Sequence, residues 1–439
     1  MSSALNRSIY EKILLESSDG KRTVDIKSGT VSIDYYEDIF SPTITLKIRV
    51  ADGGDTIAPA NGKSSEKQSL YAGLPLRGGE RLALKISGNT SNNPGLDFSK
   101  NTKDYLYVSS ISDVAIESQR ETFVLNLVSR EALTNETARV YQKYKKSPIN
   151  EHVSSILKNI LKTSKIGTIE KSSTPYSFIG NLKKPFSVLV WLASKAVPAM
   201  SKDASAGFVF YQTKEGFQFR SIDSLCDQEP IAKYIYTDVN KSEIERNNDF
   251  TILSYSIDRN QNLLEKLRLG TYSSVRYYFD PLTFKFTNPE EGKYKLDQYQ
   301  KKVKNLGLNQ VEIPNVPTNN NKSLGEIPSR IFTGVLDTGV LQVGVSTSKT
   351  EEPLKYQSQI IMRYNLLFTQ TVSMIVPSNT NLKAGDVIEC KFPKVSRSNS
   401  DEYDPDQSGL YMIKELCHHF DDSGSYTSMR LVRDTFGKK

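Results

Sequence analysis

Between Thr43 and Val50 every second residue is aliphatic. Ile44, Leu46, Ile48 and Val50 alternate with Thr43, Thr45, Lys47 and Arg49. A period of two puts one set on each side of a strand, so this segment reads as a strand with one buried face and one wet face. The same alternation recurs in Thr30 to Tyr36, where Val31, Ile33 and Tyr35 share a face, and again through Leu82, Leu84 and Ile86. In the opening segment Ile9, Glu11, Ile13 and Leu15 fall on one face, with Tyr10, Lys12 and Leu14 on the other. A chain that keeps returning to this pattern is committed to antiparallel sheet. Ser17 to Lys21 supplies a hairpin turn. Residues 8–130 therefore predict about six or seven antiparallel strands in a closed or nearly closed barrel.

The stretch from Thr371 onward repeats the theme. Met374 to Pro377 is a short apolar run. Leu382 to Asp386 reads as a tight turn in which Gly385 supplies permissive backbone. Strands follow at Val387 to Phe392, Gly409 to Leu416 and Tyr426 to Val432. Asp421, Asp422, Ser423 and Gly424 form the hairpin turn before the last of these. Four antiparallel strands closing the chain predict a second small barrel.

At Ser129 the period changes. Val153, Ile156, Leu157, Ile160 and Leu161 make a helical stripe after Pro148. Phe186, Leu189, Val190, Ala193 and Val197 make another, ended by Pro198. Trp191 reads as a packing aromatic on this helix. A hairpin returns at Gly207 with its turn at Lys214-Glu215-Gly216. The aromatic run Tyr277-Tyr278-Phe279 lies on a later strand that needs cover on both faces.

With 439 residues, two to four domains are expected. The fold class is mainly β with an α-helical insertion: two tube-like antiparallel β-barrels plus smaller α+β domains. The layout assigns the first tube-like barrel to residues 1–130 and a helical domain to 131–205. A β-hairpin extending a barrel follows at 206–240, then a mixed domain and polar arm at 241–328. The second tube-like barrel takes 329–439.

Composition narrows the function classes. Net charge is +7, spread along the chain among 57 basic and 50 acidic residues, with no zinc finger, recognition helix or aromatic-basic signature for nucleic acid. No stretch approaches the length of a membrane span, and the N-terminus lacks a signal-peptide apolar core; a soluble protein without membrane insertion is expected. Cys226, Cys390 and Cys417 are far apart and read as reduced, mostly buried thiols made in a cytosol.

No nucleophile elbow, phosphate-binding loop, dinucleotide fingerprint or metalloprotease motif is present in the sequence. His152 sits in an amphipathic helix and reads as structural. His418 and His419 are neighbours on a strand, so they point to opposite faces and do not ligate one metal. No catalytic residue, metal or cofactor is expected. The structural or interface candidates are Gly385 and Gly424 at turns and Tyr411 and Tyr426 packing across the sheet. Arg430 and Arg433 either contact another subunit or lie solvated on the wall.

The terminal pieces NLKAGDVIECKFP and GLYMIKELCHHFDDSGSYTSMRLVRDTFG resemble the baseplate central hub protein of T4-like contractile-tailed phages, in particular cyanophage members. The opening YEKILLES, the helix PFSVLVWLASKAVP and the hairpin GFVFYQTKEGFQFRSIDSL extend the likeness over most of the chain. The resemblance implies a non-enzymatic virion protein of the tail baseplate, assembled in the host cytoplasm. It implies a homotrimer acting as a pseudo-sixfold symmetry adaptor between the trimeric puncturing spike and the six-fold tail tube. The implied partners are the spike, the tube-initiator and tube proteins, and as further candidates the baseplate wedge proteins. The genome would pass through the lumen without specific binding. Two other classes stay open on the residues alone. A receptor- or carbohydrate-binding tail module needs an exposed aromatic platform, and a cell-wall hydrolase needs a convergent acid-base pair.

Overall fold

The computed structural model describes residues 3–54, 69–199, 207–236, 248–335, 352–394 and 403–437, apart from positions 75, 118, 174, 260, 261, 282, 291, 302, 317, 319 and 320. Fifteen of the described strands join in one sheet. Its spine is an antiparallel run of eight. In order they are Ser254–Arg259, Gln370–Pro377, Ser425–Arg433, Gly409–Asp421, Thr30–Asp38, Thr45–Asp52, Arg120–Ser129 and Leu106–Glu117. Arg81–Thr90 and Ile9–Glu16 continue it at one end. Val387–Lys391, and beyond it Lys233–Tyr236 in parallel, branch from the middle.

Gly409–Asp421 is the joint between the two ends of the chain. Along one edge its first residues, Gly409 to Met412, pair with Val387 to Cys390. Its last residues, Glu415 to Asp421, pair along that edge with Ser32 to Asp38. The register shifts between Ile413 and Glu415, and a bulge of this kind bends a strand enough to change partner. Lys414, at the bulge, reaches Asp38 at 2.7 Å and also holds Glu415.

This pairing overturns the two tube-like β-barrels expected from the sequence. The fold is mainly β with helical insertions and several sheets, but no described sheet closes into a barrel. Closing the first set would require Thr30–Asp38 to return to its own N-terminal strands. Its free edge is taken instead by Gly409–Asp421. Alternation fixes which face of a strand is buried; it says nothing about which strand lies alongside. A smaller correction concerns the first strand. A bulge between Tyr10 and Lys12 moves Tyr10 to the buried side with Ile13 and Leu15 and leaves Ile9 exposed.

Two apolar cores back the same side of the sheet. One gathers Ile33, Tyr35, Leu46, Ile48, Leu125 and Phe420. The other gathers Val372, Met374, Leu416, Met429 and Leu431. Leu416 and Phe420 stand on one face of the joint strand, so the buried side runs unbroken from lobe to lobe. Each such side chain contributes about 1.5–3 kcal/mol on burial.

A third core belongs to helices Arg130–Thr137, Ile149–Ser155 and Pro185–Ala193, the second of which continues into a π-helical turn, Ile156–Ile160. The hairpin Phe208–Thr213 and Gly216–Ser221 turns Phe208, Phe210, Phe217 and Phe219 into it. That hairpin pairs with Ile166–Ile169 and not with the large sheet. Trp191 packs edge-on against Tyr176 and Phe178. A small sheet of Ser273–Asp280, Lys285–Phe286, Lys293–Lys295 and Arg330–Val335 leans on helix Glu352–Leu367. The described part of 293–328 packs here through Leu296, Tyr299, Val311 and Leu324, all buried.

Candidate assembly surface

Beside the joint the side of the sheet opposite these two cores is open, whereas at one end a further core at Val387, Met412 and Val432 covers it. Strand alternation sends Asp34, Tyr36 and Asp38 to it, and likewise Lys47 and Arg49, Glu415, Cys417 and His419, and Tyr426, Ser428 and Arg430. Across the joint this face encloses a groove of about 820 Å³, lined among others by Tyr36, Asp38, Lys47, Ser256, Cys417 and Arg430. Its charges are mixed in sign, and several are already paired within the chain.

His419 shows how the face is organised. Its Nδ1 lies 2.5 Å from Asp34 and its Nε2 lies 3.0 Å from Asp421. Its ring stacks on Tyr426 at 4.4 Å. The hydrogen bond to Asp34 holds the imidazole above its ordinary pKa. Burial pushes the Cys417 thiol beside it up to about 12.

Beneath the face, a polar node ties three distant segments together. Glu37 accepts from the Tyr35 hydroxyl at 2.7 Å, from the Lys214 backbone N–H at 2.6 Å and from the Ala384 N–H at 2.9 Å. Lys214 donates through Nζ to the Thr380 carbonyl. His418 is fully buried at the same place. Its Nε2–H donates to the Leu382 carbonyl at 3.3 Å, which leaves Nδ1 to accept from Thr427 at 3.0 Å. Burial pushes this imidazole down to about 3 and pushes the Glu37 carboxyl up to about 7. The two histidines thus face opposite sides of one strand in opposite electrostatic settings. Among the described residues no group of three or more His, Cys, Asp or Glu could hold a metal ion. Nor is any described helix long and apolar enough to cross a membrane.

The six candidate residues do not form one site. Tyr426 and Arg430 lie on the open face, Arg430 in the groove. Gly385 turns the chain at φ 90°, and a Cβ there would stand 2.4 Å from the Tyr211 hydroxyl. Gly424 donates its N–H to the Asp421 carboxylate at 2.9 Å, and a Cβ there would meet the Leu5 carbonyl at 2.4 Å. Tyr411 is buried, donates to the Gln407 carbonyl at 2.5 Å, and lies under the Arg433 guanidinium at 4.4 Å. Arg433 is itself fully buried, donating to the carbonyls of Asp406, Ser408 and Gly437 and to Gln370.

No family model matches the chain. Over 319 residues it is 22% identical to the probable baseplate hub protein gp334 of Vibrio phage KVP40, covering 72% of this chain and 73% of that one. Its fold superposes on a tail protein from Neisseria meningitidis MC58 with a TM-score of 0.53, at 9% identity and 96% coverage of both chains. The 43 kDa tail protein of prophage MuSo2 from Shewanella oneidensis gives 0.51, at 10% identity over 97% and 98% of the two chains. The chain is thus similar in sequence to a baseplate hub protein and shares its fold with two tail proteins.

The groove lies on the polar face of the joint. Glu37, Lys214 and His418, absent from the candidates read off the sequence, are the groups that hold this face to the rest of the chain. The alternation carried a signal for two of them. Glu37 shares parity with Ile33 and Tyr35, and His418 with Leu416 and Phe420, so both belong to buried faces. Nothing local points to Lys214, whose partner Glu37 is 177 residues away.

Proposed function

We propose that the chain is the central hub subunit of a contractile tail baseplate. In this reading it forms a homotrimer that adapts the threefold puncturing spike to the sixfold tail tube. The observation that carries the reading is the pair of lobes on one sheet, each with its own apolar core and both cores behind the same face. Three such chains present six lobes about one axis. The open polar face then lines the bore. The spike seats at one mouth of the ring, the tube initiator and tube proteins stack at the other, and wedge proteins gather outside. Phosphates are held by uncompensated Lys and Arg. Here Lys47, Arg49 and Arg430 share the face with Asp34, Asp38 and Glu415, a balance that lets a genome pass without being captured.

The test is the mass of the purified chain in solution. Sedimentation at micromolar concentration is expected to give a principal species of three times the 49.3 kDa chain mass. A monomer or dimer throughout contradicts the trimeric adaptor.

A further inference from the structure

Residues 131–199 hold eleven Lys and Arg against four Glu and no Asp, a net charge of +7. That equals the net charge of the whole chain, so the rest of the molecule is balanced. Three of the four carboxylates are already engaged inside the chain. Glu131 is buried and accepts from Thr163 at 2.7 Å. Glu170 accepts from Ser221 and Ser224, and Glu136 is paired with Lys184. Part of the positive charge stands on one surface. Strand Lys143–Pro148 pairs with Pro175–Ile179. Val140 and Tyr144 turn into the core beneath, while Arg139, Lys143 and Lys145 are exposed. Beyond this pair residues 180–183 make a turn, closed by the Lys183 N–H on the Gly180 carbonyl at 3.0 Å. Three apolar side chains stand among the charges: Tyr141 is 68%, Leu182 66% and Ile179 37% exposed. Asn181 and Leu182 have φ of 51° and 56°, the values of a type I′ turn, whose second central position favours glycine. A leucine there strains the backbone and leaves most of its side chain outside the fold.

An apolar tip flanked by cations matches the headgroup layer of an anionic membrane. Aliphatic and tyrosine side chains enter the boundary between headgroups and acyl chains, and the ammonium groups meet lipid phosphates. We propose that residues 139–146 and 179–183 seat the chain on an anionic phospholipid bilayer, with Tyr141 and Leu182 entering the headgroup layer. The contact is peripheral and involves no span; no described helix is long and apolar enough to cross a membrane. The chemistry of the tip selects this occupant. Single-stranded nucleic acid is held by basic grooves with aromatic platforms for the bases, whereas Leu182 and Ile179 are aliphatic. An acidic protein would need a pocket shaped to an outstanding leucine, whereas a fluid headgroup layer yields to one. Nothing in this depends on how many copies make the hub.

Vesicle co-sedimentation of the full chain tests this. Vesicles of phosphatidylglycerol and phosphatidylcholine in equal parts are set beside vesicles of phosphatidylcholine alone. Binding is expected to the mixed vesicles only, and to fall steeply as salt is raised from about 0.1 to about 0.5 M. Lys145→Gln combined with Lys183→Gln should weaken it about thirtyfold. Leu182→Asn should weaken it about tenfold. The same variant should unfold at the parent's temperature or above it, because asparagine accepts left-handed backbone more readily than leucine; a loss of binding is then a loss of surface and not of fold. No binding to the mixed vesicles overturns the proposal, as does equal binding to both kinds. Binding that Leu182→Asn leaves unchanged also overturns it, and marks a surface for polyanions at large, an acidic protein or a nucleic acid among them. The mass in solution is read separately, so a trimer that ignores vesicles keeps the hub reading and loses only this one.

Discussion

Arg363→Ala is expected to lower the unfolding free energy of the chain by about 3–5 kcal/mol. Arg363 projects from helix Glu352–Leu367 and is 1% exposed. Its guanidinium reaches Asp434 at 2.6 Å, Asp223 at 2.9 Å and the Lys304 carbonyl at 2.6 Å. Four stretches far apart in sequence therefore meet at one planar fork, a geometry that Lys does not reproduce. Alanine leaves the Asp434 carboxylate buried with its countercharge gone, and Asp434 also accepts from the Leu306 N–H at 3.1 Å. The cost is that of an uncompensated buried charge, and it exceeds what any surface ion pair of this chain is worth. Urea denaturation of the variant beside the parent measures it. A change below about 1 kcal/mol would show that the cluster does not hold these segments together.

The second large effect is a dependence of stability on pH that comes from the buried node. His418 is held down to about 3 when folded, against an ordinary value of 6.5. Below pH 6.5 the unfolded chain binds a proton that the folded chain refuses, so stability falls as pH drops toward 3. The loss is on the order of 4–5 kcal/mol over that range. Glu37 acts in the opposite sense. Its carboxyl is raised to about 7 from 4.5, so the folded chain keeps a proton that the unfolded chain has released. Its contribution is fully present below pH 4.5 and is lost as pH rises through 7, on the order of 3 kcal/mol. Between pH 6.5 and 4.5 the two nearly cancel. Lys214, whose charge helps to depress His418, and Asp386, raised by burial to about 6, face the same node. The parent is therefore expected to be most stable in mildly acidic solution. His418→Gln should flatten the acid limb between pH 4.5 and 3, and Glu37→Gln the limb between pH 6 and 8. Denaturation midpoints across pH, read as differences from the parent, check both. Parallel profiles for parent and variants would place the titrating groups elsewhere.

What the sequence disclosed was local. The alternation from Thr43 to Val50 marked a strand with a buried and an open face, and the structure places Ile44, Leu46, Ile48 and Val50 inside. The bend at Gly385 was legible because few residues tolerate its backbone, and the turn at Asp421 to Gly424 because an aspartate accepts from the N–H groups that follow it, here those of Ser423 and Gly424. Barrel closure was misjudged for a physical reason. The strand that occupies the edge of Thr30–Asp38 comes from the far end of the chain, and side-chain periodicity carries no record of its neighbour. Arg433 shows the same limit in a finer form. It shares parity with Met429 and Leu431 and so belongs inside, yet an arginine reads as a surface residue until its carbonyl partners are known. Arg363 gave no sign at all, being one polar residue in an amphipathic helix whose carboxylate partners lie 71 and 140 residues away.

One sheet spans both lobes, and in the proposed trimer its polar face is turned to a common axis. Cryo-electron microscopy of the purified chain tests that most directly. The proposed hub predicts a threefold ring of six similar lobes, with Tyr36, Lys47 and Arg430 facing the central channel. A ring with these residues on its outer wall, or particles without threefold symmetry, would contradict it.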